Sequence, residues 1–150
     1  MTAYPDTSFL CALYRTQCNT AEAVEYRASI KGALQVTTLV LFEFRQAARF
    51  QAWLHGKDAA KGYNEKEAGS MLADLQSDIE SGLLEIVPAD WSGVIGKAES
   101  LSGRYTVKNG HRGFDILHVA TALELGAKEF LTFDARQNEL AKSAGLKVRP

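Results

Sequence analysis

The sequence predicts an α/β fold: a parallel sheet covered by helices on both faces. Short apolar runs alternate with stretches of helical period from one end of the chain to the other, and such alternation demands crossover connections and parallel strands. Residues 116–125, Ile-Leu-His-Val-Ala-Thr-Ala-Leu-Glu-Leu, are apolar almost all round, as a helix buried within a layered fold must be. Asp6 and Asp134 each stand where a strand closes and a helix opens, which puts both on one edge of the sheet, the edge where open α/β sheets gather their chemistry.

The elements follow in order. A short strand ends near Asp6, and Phe9, Leu10, Leu13 and Tyr14 then recur at helical spacing. Asn19 with Glu22 three places on is a capping-box pattern for a helix over 20–31, stopped by Gly32. A strand over 34–37 comes next, and Thr38 caps a helix running toward Trp53 and Leu54 until His55 and Gly56 break it. Ala68, Met71, Leu72, Leu75 and Ile79 mark one face of the following helix, Asp74 and Asp78 the other, and Gly82 ends it. A strand over 83–87 is closed by Pro88, and a helix starting near Trp91 frays into a Gly- and Arg-bearing loop over 103–113. Behind the buried helix, Gly126 is a stop, 130–133 a strand, 135–144 a helix stopped by Gly145, and 146–148 a last strand.

With 150 residues, 46% of them hydrophobic and 23% charged, the chain suits one globular domain over 1–150 with a core that needs no staples. The two cysteines, Cys11 and Cys18, would lie roughly 10 Å apart in one helix, so a disulfide scaffold is excluded. No basic start precedes an apolar core, and no apolar run approaches the ~20 residues of a membrane span, so a cytoplasmic protein is expected. A net charge of −1 argues against coating nucleic acid by bulk charge. Its distribution is uneven: residues 67–96 carry six acids and no Lys or Arg, whereas 104–112 carries Arg104, Lys108, His111 and Arg112 and no acid.

Asp6, Asp115 and Asp134 each occupy a position where a helix begins, and helix capping explains any one of them. It does not explain Glu43. With Leu39 at zero on a helical wheel, Phe50 falls near 20°, Leu54 near 60° and Glu43 near 40°. A carboxylate inside an apolar arc costs several kcal/mol unless a basic side chain or a metal meets it. Arg45 and Arg49 point elsewhere on that helix. Four acids at one edge would repel by about 4 kcal/mol per pair at 4 Å and an effective dielectric of 20, which a divalent cation removes; all-oxygen ligands suit Mg²⁺ or Mn²⁺. His55, His111 and His118 are too dispersed for a zinc site, and His118, on a mostly apolar helix, reads as a packing residue. There is no phosphate-binding Gly-rich loop and no Gly-x-Ser-x-Gly elbow.

Asp6-Thr7-Ser8, Glu43 in Leu-Val-Leu-Phe-Glu-Phe, Asp115 in Phe-Asp-Ile-Leu-His-Val-Ala-Thr-Ala and Asp134 in Phe-Leu-Thr-Phe-Asp-Ala-Arg-Gln together resemble the PIN domain, over essentially the whole chain and most specifically over 112–148. The likeness is to the VapC-type toxins of bacterial toxin-antitoxin pairs. It implies a three-layer α/β/α sandwich with a five-stranded, mostly parallel sheet and a metal-dependent ribonuclease site. Carried over by position, Asp6, Glu43, Asp115 and Asp134 are the catalytic and metal-holding quartet, Ser8 and Thr132 its hydroxyl neighbours, and Mg²⁺ or Mn²⁺ the cofactor. Arg104, Lys108 and Arg112 would hold RNA phosphates. An antitoxin protein, an RNA substrate and a second copy in a homodimer are the implied partners.

Two departures stand out. Pro5 removes a donor from a strand that the family makes central, and 56–67 is longer and more polar than a connection needs, as an entrance or a dimer contact would be. A module of the same fold without turnover is the alternative reading. A phosphatase or phosphoacceptor site is a poorer one, because it needs paired acids at the first strand and Asp6-Thr7-Ser8 supplies one.

Overall fold

Every strand is three residues long, and each of the first four hands over to a helix through a side chain able to cap it. In the computed structural model, which describes residues 1–150, β1 (Ala3–Pro5) leads through Asp6 into α1 (Thr7–Tyr14), followed by α2 (Thr20–Ser29). β2 (Leu34–Val36) leads into the long α3 (Thr38–Lys57), and α4 (Glu65–Glu80) brings the chain to β3 (Leu84–Ile86). α5 (Trp91–Leu101) continues through a π-helical segment, Ser102–Thr106, into the short α6 (Val107–Asn109). α7 (Gly113–Glu124), β4 (Glu129–Leu131), α8 (Ala135–Ser143) and β5 (Lys147–Arg149) complete it.

All strand pairs are parallel, but the ladders form two sheets, β1-β4-β5 and β2-β3, where one five-stranded sheet was expected. β1 and β2 still lie side by side. The seam has a cause in the sequence. Thr2 and Asp6 direct their backbone groups to β4, Thr2 O accepting from Lys128 and Glu129 and Asp6 N donating to Leu131 O. Alternation then turns Pro5 toward β2, where it has no N–H to give.

Helices cover both faces, as the pattern required. Ala3 and Leu131 join Phe9, Leu10, Phe44, Met71 and Leu75 in one core cluster, while Tyr4 and Phe130 join Val94, Val119, Ala120 and Leu140 in another. Neighbouring strand residues thus feed opposite layers.

Several local expectations are corrected. α3 is capped by Thr37, whose hydroxyl accepts from Val40 N at 3.5 Å, rather than by Thr38, and it runs on through His55 and Gly56 to Lys57. Asn19 makes no side-chain cap, and α2 closes at Ser29. Both cysteines are free, and Cys18 lies beyond the end of α1. The expected loop 103–113 is helical as far as Asn109, fixed to α8 by Tyr105 Oη on Ser143 O (2.9 Å) and Asn109 Nδ2 on Glu139 Oε1 (3.0 Å). The ends of stretch 56–67 belong to α3 and α4, and Gly62, at φ +60°, sits so close to Gln51 O that a Cβ would lie 2.1 Å from it.

Candidate active site

Capping does account for part of what the acids do. Asp6 Oδ1 accepts from Phe9 N at 2.9 Å and starts α1; Asp134 Oδ1 accepts from Arg136 N and Gln137 N and starts α8; Asp115 Oδ2 takes Arg112 N at 3.3 Å in the first turn of α7. Each cap uses one oxygen. Asp115 Oδ1 and Asp134 Oδ2 have no protein donor, so capping leaves acceptor capacity on both.

Asp6 is the most constrained of the four. Completely buried, it receives Ser8 Oγ at 2.7 Å on Oδ1 and Thr132 Oγ1 at 2.5 Å on Oδ2. Burial pushes its carboxyl up to about 6 against the opposing pull of those hydroxyls, the Phe9 N–H and nearby His118. Ser8 and Thr132 lie 3.3 Å apart across the same carboxylate. Thr132 Oγ1 also receives Asp134 N at 2.9 Å, and Ser8 Oγ receives Phe133 N at 2.8 Å, so the start of α8 is tied to the end of β1.

Glu43 does meet a basic side chain, and it is His118. The imidazole Nε2 lies 2.6 Å from Glu43 Oε2, and the Thr7 hydroxyl donates to the same oxygen. Burial works to raise the Glu43 carboxyl, and these donors outweigh it, leaving it below the usual carboxylate range. The wheel had misplaced the buried face of α3. Val40, Leu41, Phe44 and Ala48 pack inward, while Phe42, Phe50 and Trp53 are exposed, Trp53 at 56%, so Glu43 sits on the border between the two at 28% exposure.

His118, read from the sequence as packing, is bonded to Glu43, as is Thr7, and Tyr4 is bonded in turn to His118. The signal that was available is that His118 follows Asp115 by one helical turn and so shares its face. Arg104, Lys108 and Arg112 are exposed and make no ion pair. Arg112 adjoins Asp115 through its backbone, whereas Arg104 and Lys108 ride on the π-helical segment and α6. What the fold brings together is two linked groups, Asp6-Ser8-Thr132-Asp134 and Glu43-Thr7-His118, joined through the adjacent residues Asp6 and Thr7. No three His, Cys, Asp or Glu side chains are drawn into a metal-ligand cluster.

The PIN domain family model matches residues 3–143. No curated protein sequence matches the chain. Among solved structures the chain is similar to VapC20 of Mycobacterium tuberculosis, described as a sarcin-ricin loop cleaving toxin, with a TM-score of 0.66 at 19% identity over 99% of this chain and 100% of that one. FitAcB from Neisseria gonorrhoeae gives 0.66 at 17% identity over 99% and 97%, and VapBC-1 from nontypeable Haemophilus influenzae 0.65 at 12% over 99% and 97%. At these identities the likeness is one of fold.

Proposed function

The chain belongs to the PIN domain family, and we propose that it is a Mg²⁺- or Mn²⁺-dependent endoribonuclease, a hydrolase of RNA phosphodiester bonds acting as a single domain over 1–150 and serving as the toxin of a toxin-antitoxin pair in the cytoplasm. Asp6 carries the reading. A wholly buried carboxylate bonded only to hydroxyls and an amide has no cation hydrogen-bonded to it, and a divalent ion is the group that would offset its charge. The donor set fits: Asp6, Glu43, Asp115 and Asp134 offer hard oxygens, and nearby no thiolate or paired imidazoles favour a softer metal. These four would hold the ion, which when bound polarises the phosphoryl group and supplies a nucleophilic water at neutral pH.

The remaining work falls to the protein. Ser8 and Thr132 fix both oxygens of Asp6, and the α8 cap fixes Asp134 beside them. Arg112, Lys108 and Arg104, free of carboxylate partners, would hold phosphates flanking the scissile bond. An antitoxin would block the acids with a basic side chain; relatives of the same fold solved as FitAcB and VapBC-1 support a protein partner. The homodimer has a candidate face in the outer side of α3, where Phe42 stacks on Phe114 at 6.4 Å and Phe50 on Trp53 at 5.5 Å, all exposed. No helix is long and apolar enough to cross a membrane.

One observation favours the alternative of a PIN-fold RNA- or protein-binding module without turnover: the acids are not gathered into a ligand cluster. Melting of the wild type and Asp115→Asn with Mn²⁺ titrated in separates the two. As a nuclease, the wild type gains stability, about 2.7 kcal/mol at a hundred times the dissociation constant. The variant loses most of that gain and, relieved of repulsion, melts no lower without metal. A wild type indifferent to Mn²⁺, with a variant about 1 kcal/mol less stable, makes Asp115 a cap and the chain a binding module.

A further inference from the structure

We propose that His118 is a positioning residue for Glu43, its Nε2–H fixing Oε2 of the carboxylate while the Tyr4 hydroxyl on Nδ1 holds the imidazole in that tautomer. The inference rests on the metal-site reading above and extends it to residues outside the four acids.

The geometry is a chain of side chains from five elements or their ends. Tyr4 Oη lies 2.8 Å from His118 Nδ1 and 3.4 Å from Thr37 Oγ1; His118 Nε2 lies 2.6 Å from Glu43 Oε2, where the Thr7 hydroxyl also donates. An ionised carboxylate only accepts, so Nε2 carries the hydrogen, and in the neutral ring Nδ1 accepts from the Tyr4 hydroxyl. Tyr4 is itself completely buried, with its hydroxyl against that nitrogen. Each member of the chain thus passes its hydrogen toward Glu43.

A histidine kept for packing needs only some polar partner for each nitrogen. Here one partner is a carboxylate on the border of the exposed surface, and the other also bonds the residue that caps α3, the helix that carries Glu43. Both donors to Glu43 fall on Oε2, and Oε1 has none. The carboxylate is held by one oxygen and presents the other. A partner hydrogen-bonded behind a ligating carboxylate fixes its orientation in metal sites, and losing such a partner costs 10- to 100-fold in affinity.

The test is Mn²⁺ affinity by calorimetry, with melting as the check of folding, on the wild type, His118→Met and His118→Gln. Methionine fills similar space with no donor, whereas glutamine offers an amide N–H to Glu43. A loss of about 10- to 100-fold for His118→Met, recovered to within about threefold by His118→Gln, is the expected result. Nitrogen NMR of the metal-free wild type should show Nε2 protonated and Nδ1 bare, with that pattern disturbed in Tyr4→Phe. A folded His118→Met that binds Mn²⁺ like the wild type overturns the inference, as does His118→Gln binding as poorly as His118→Met, or an Nδ1-protonated ring. A wild type that takes up no Mn²⁺ overturns the metal site first and this inference with it; the variant contrast in a protein that binds overturns this inference alone.

Discussion

Two carboxylates stand at opposite ends of the same pair of strands and have opposite fates. Glu129 opens β4, and Asp6 lies beyond the other end of β1, against Thr132. Around Glu129 the protein supplies its own cations: Lys147 at 2.8 Å and Arg149 at 3.3 Å, with Tyr26 Oη donating at 2.5 Å, and these partners, Lys147 foremost, draw its carboxyl down to about 2. Around Asp6 it supplies hydroxyls and one amide, and burial takes the carboxyl up to about 6. The larger hollow, about 630 Å³, lies beside Glu129 among residues that include Tyr26, Lys31 and Arg149. Size alone would put the function there. The charge balance favours Asp6 for the proposed site, because Glu129 already has its cations beside it whereas Asp6 is bonded only to hydroxyls and an amide.

The strongest way to break this contrast is Asp6→Asn. RNA cleavage should fall to background and the Mn²⁺-dependent rise in melting temperature should vanish, while the metal-free variant is no less stable than the wild type near pH 7, since a buried charge has gone. A variant that still responds to Mn²⁺ would show that Asp6 is only the cap of α1. The next test is pH. Because the folded Asp6 value of about 6 exceeds the ordinary 3.8, the unfolded chain releases its proton first, and metal-free stability should drop as pH rises from about 4 to about 6, by up to roughly 3 kcal/mol. Glu129 works in the other direction. Its folded value of about 2 is below the ordinary 4.5, so its contribution is present above pH 4.5 and is lost as pH falls toward 2. Denaturation curves across pH 2–8 should show both limbs, with Asp6→Asn removing only the upper one. The smallest effect belongs to Glu129→Gln, which should lose no more than about 1 kcal/mol and leave cleavage and Mn²⁺ response untouched; an altered metal response would mean that the two ends are coupled.

Much of this was legible in the sequence because it is local. Three short acids each opening a helix, glycines with positive φ ending others, and alternating β and α pattern depend on neighbours a few residues away. Glu43 also stood out, since no local rule explains an acid at its position. Its partner did not, because His118 lies 75 residues further on and a histidine in an apolar helix satisfies the usual demands of packing. The wheel misjudged α3 for a related reason: Phe42, Phe50 and Trp53 drew the apolar arc toward themselves, yet they are exposed, while Val40, Leu41, Phe44 and Ala48 are buried. The π-helical segment was illegible too. Ser-Gly-Arg-Tyr-Thr reads as loop, and the contacts that hold it and α6 come from α8, 30 and 38 residues away.

The seam opened by Pro5 bears on how the two acid-bearing halves are spaced. A hydrogen-bonded ladder clamps neighbouring strands at about 4.8 Å, but β1, which delivers Asp6, and β2, which launches the helix of Glu43, share none. Their separation is set instead by side chains reaching across, Tyr4 to Thr37 and Thr7 to Glu43. Side-chain bonds are softer springs than a backbone ladder, so the gap between the two carboxylates is the compliant dimension of an otherwise stiff scaffold, and the gauge of that gap is adjusted by hydroxyl groups.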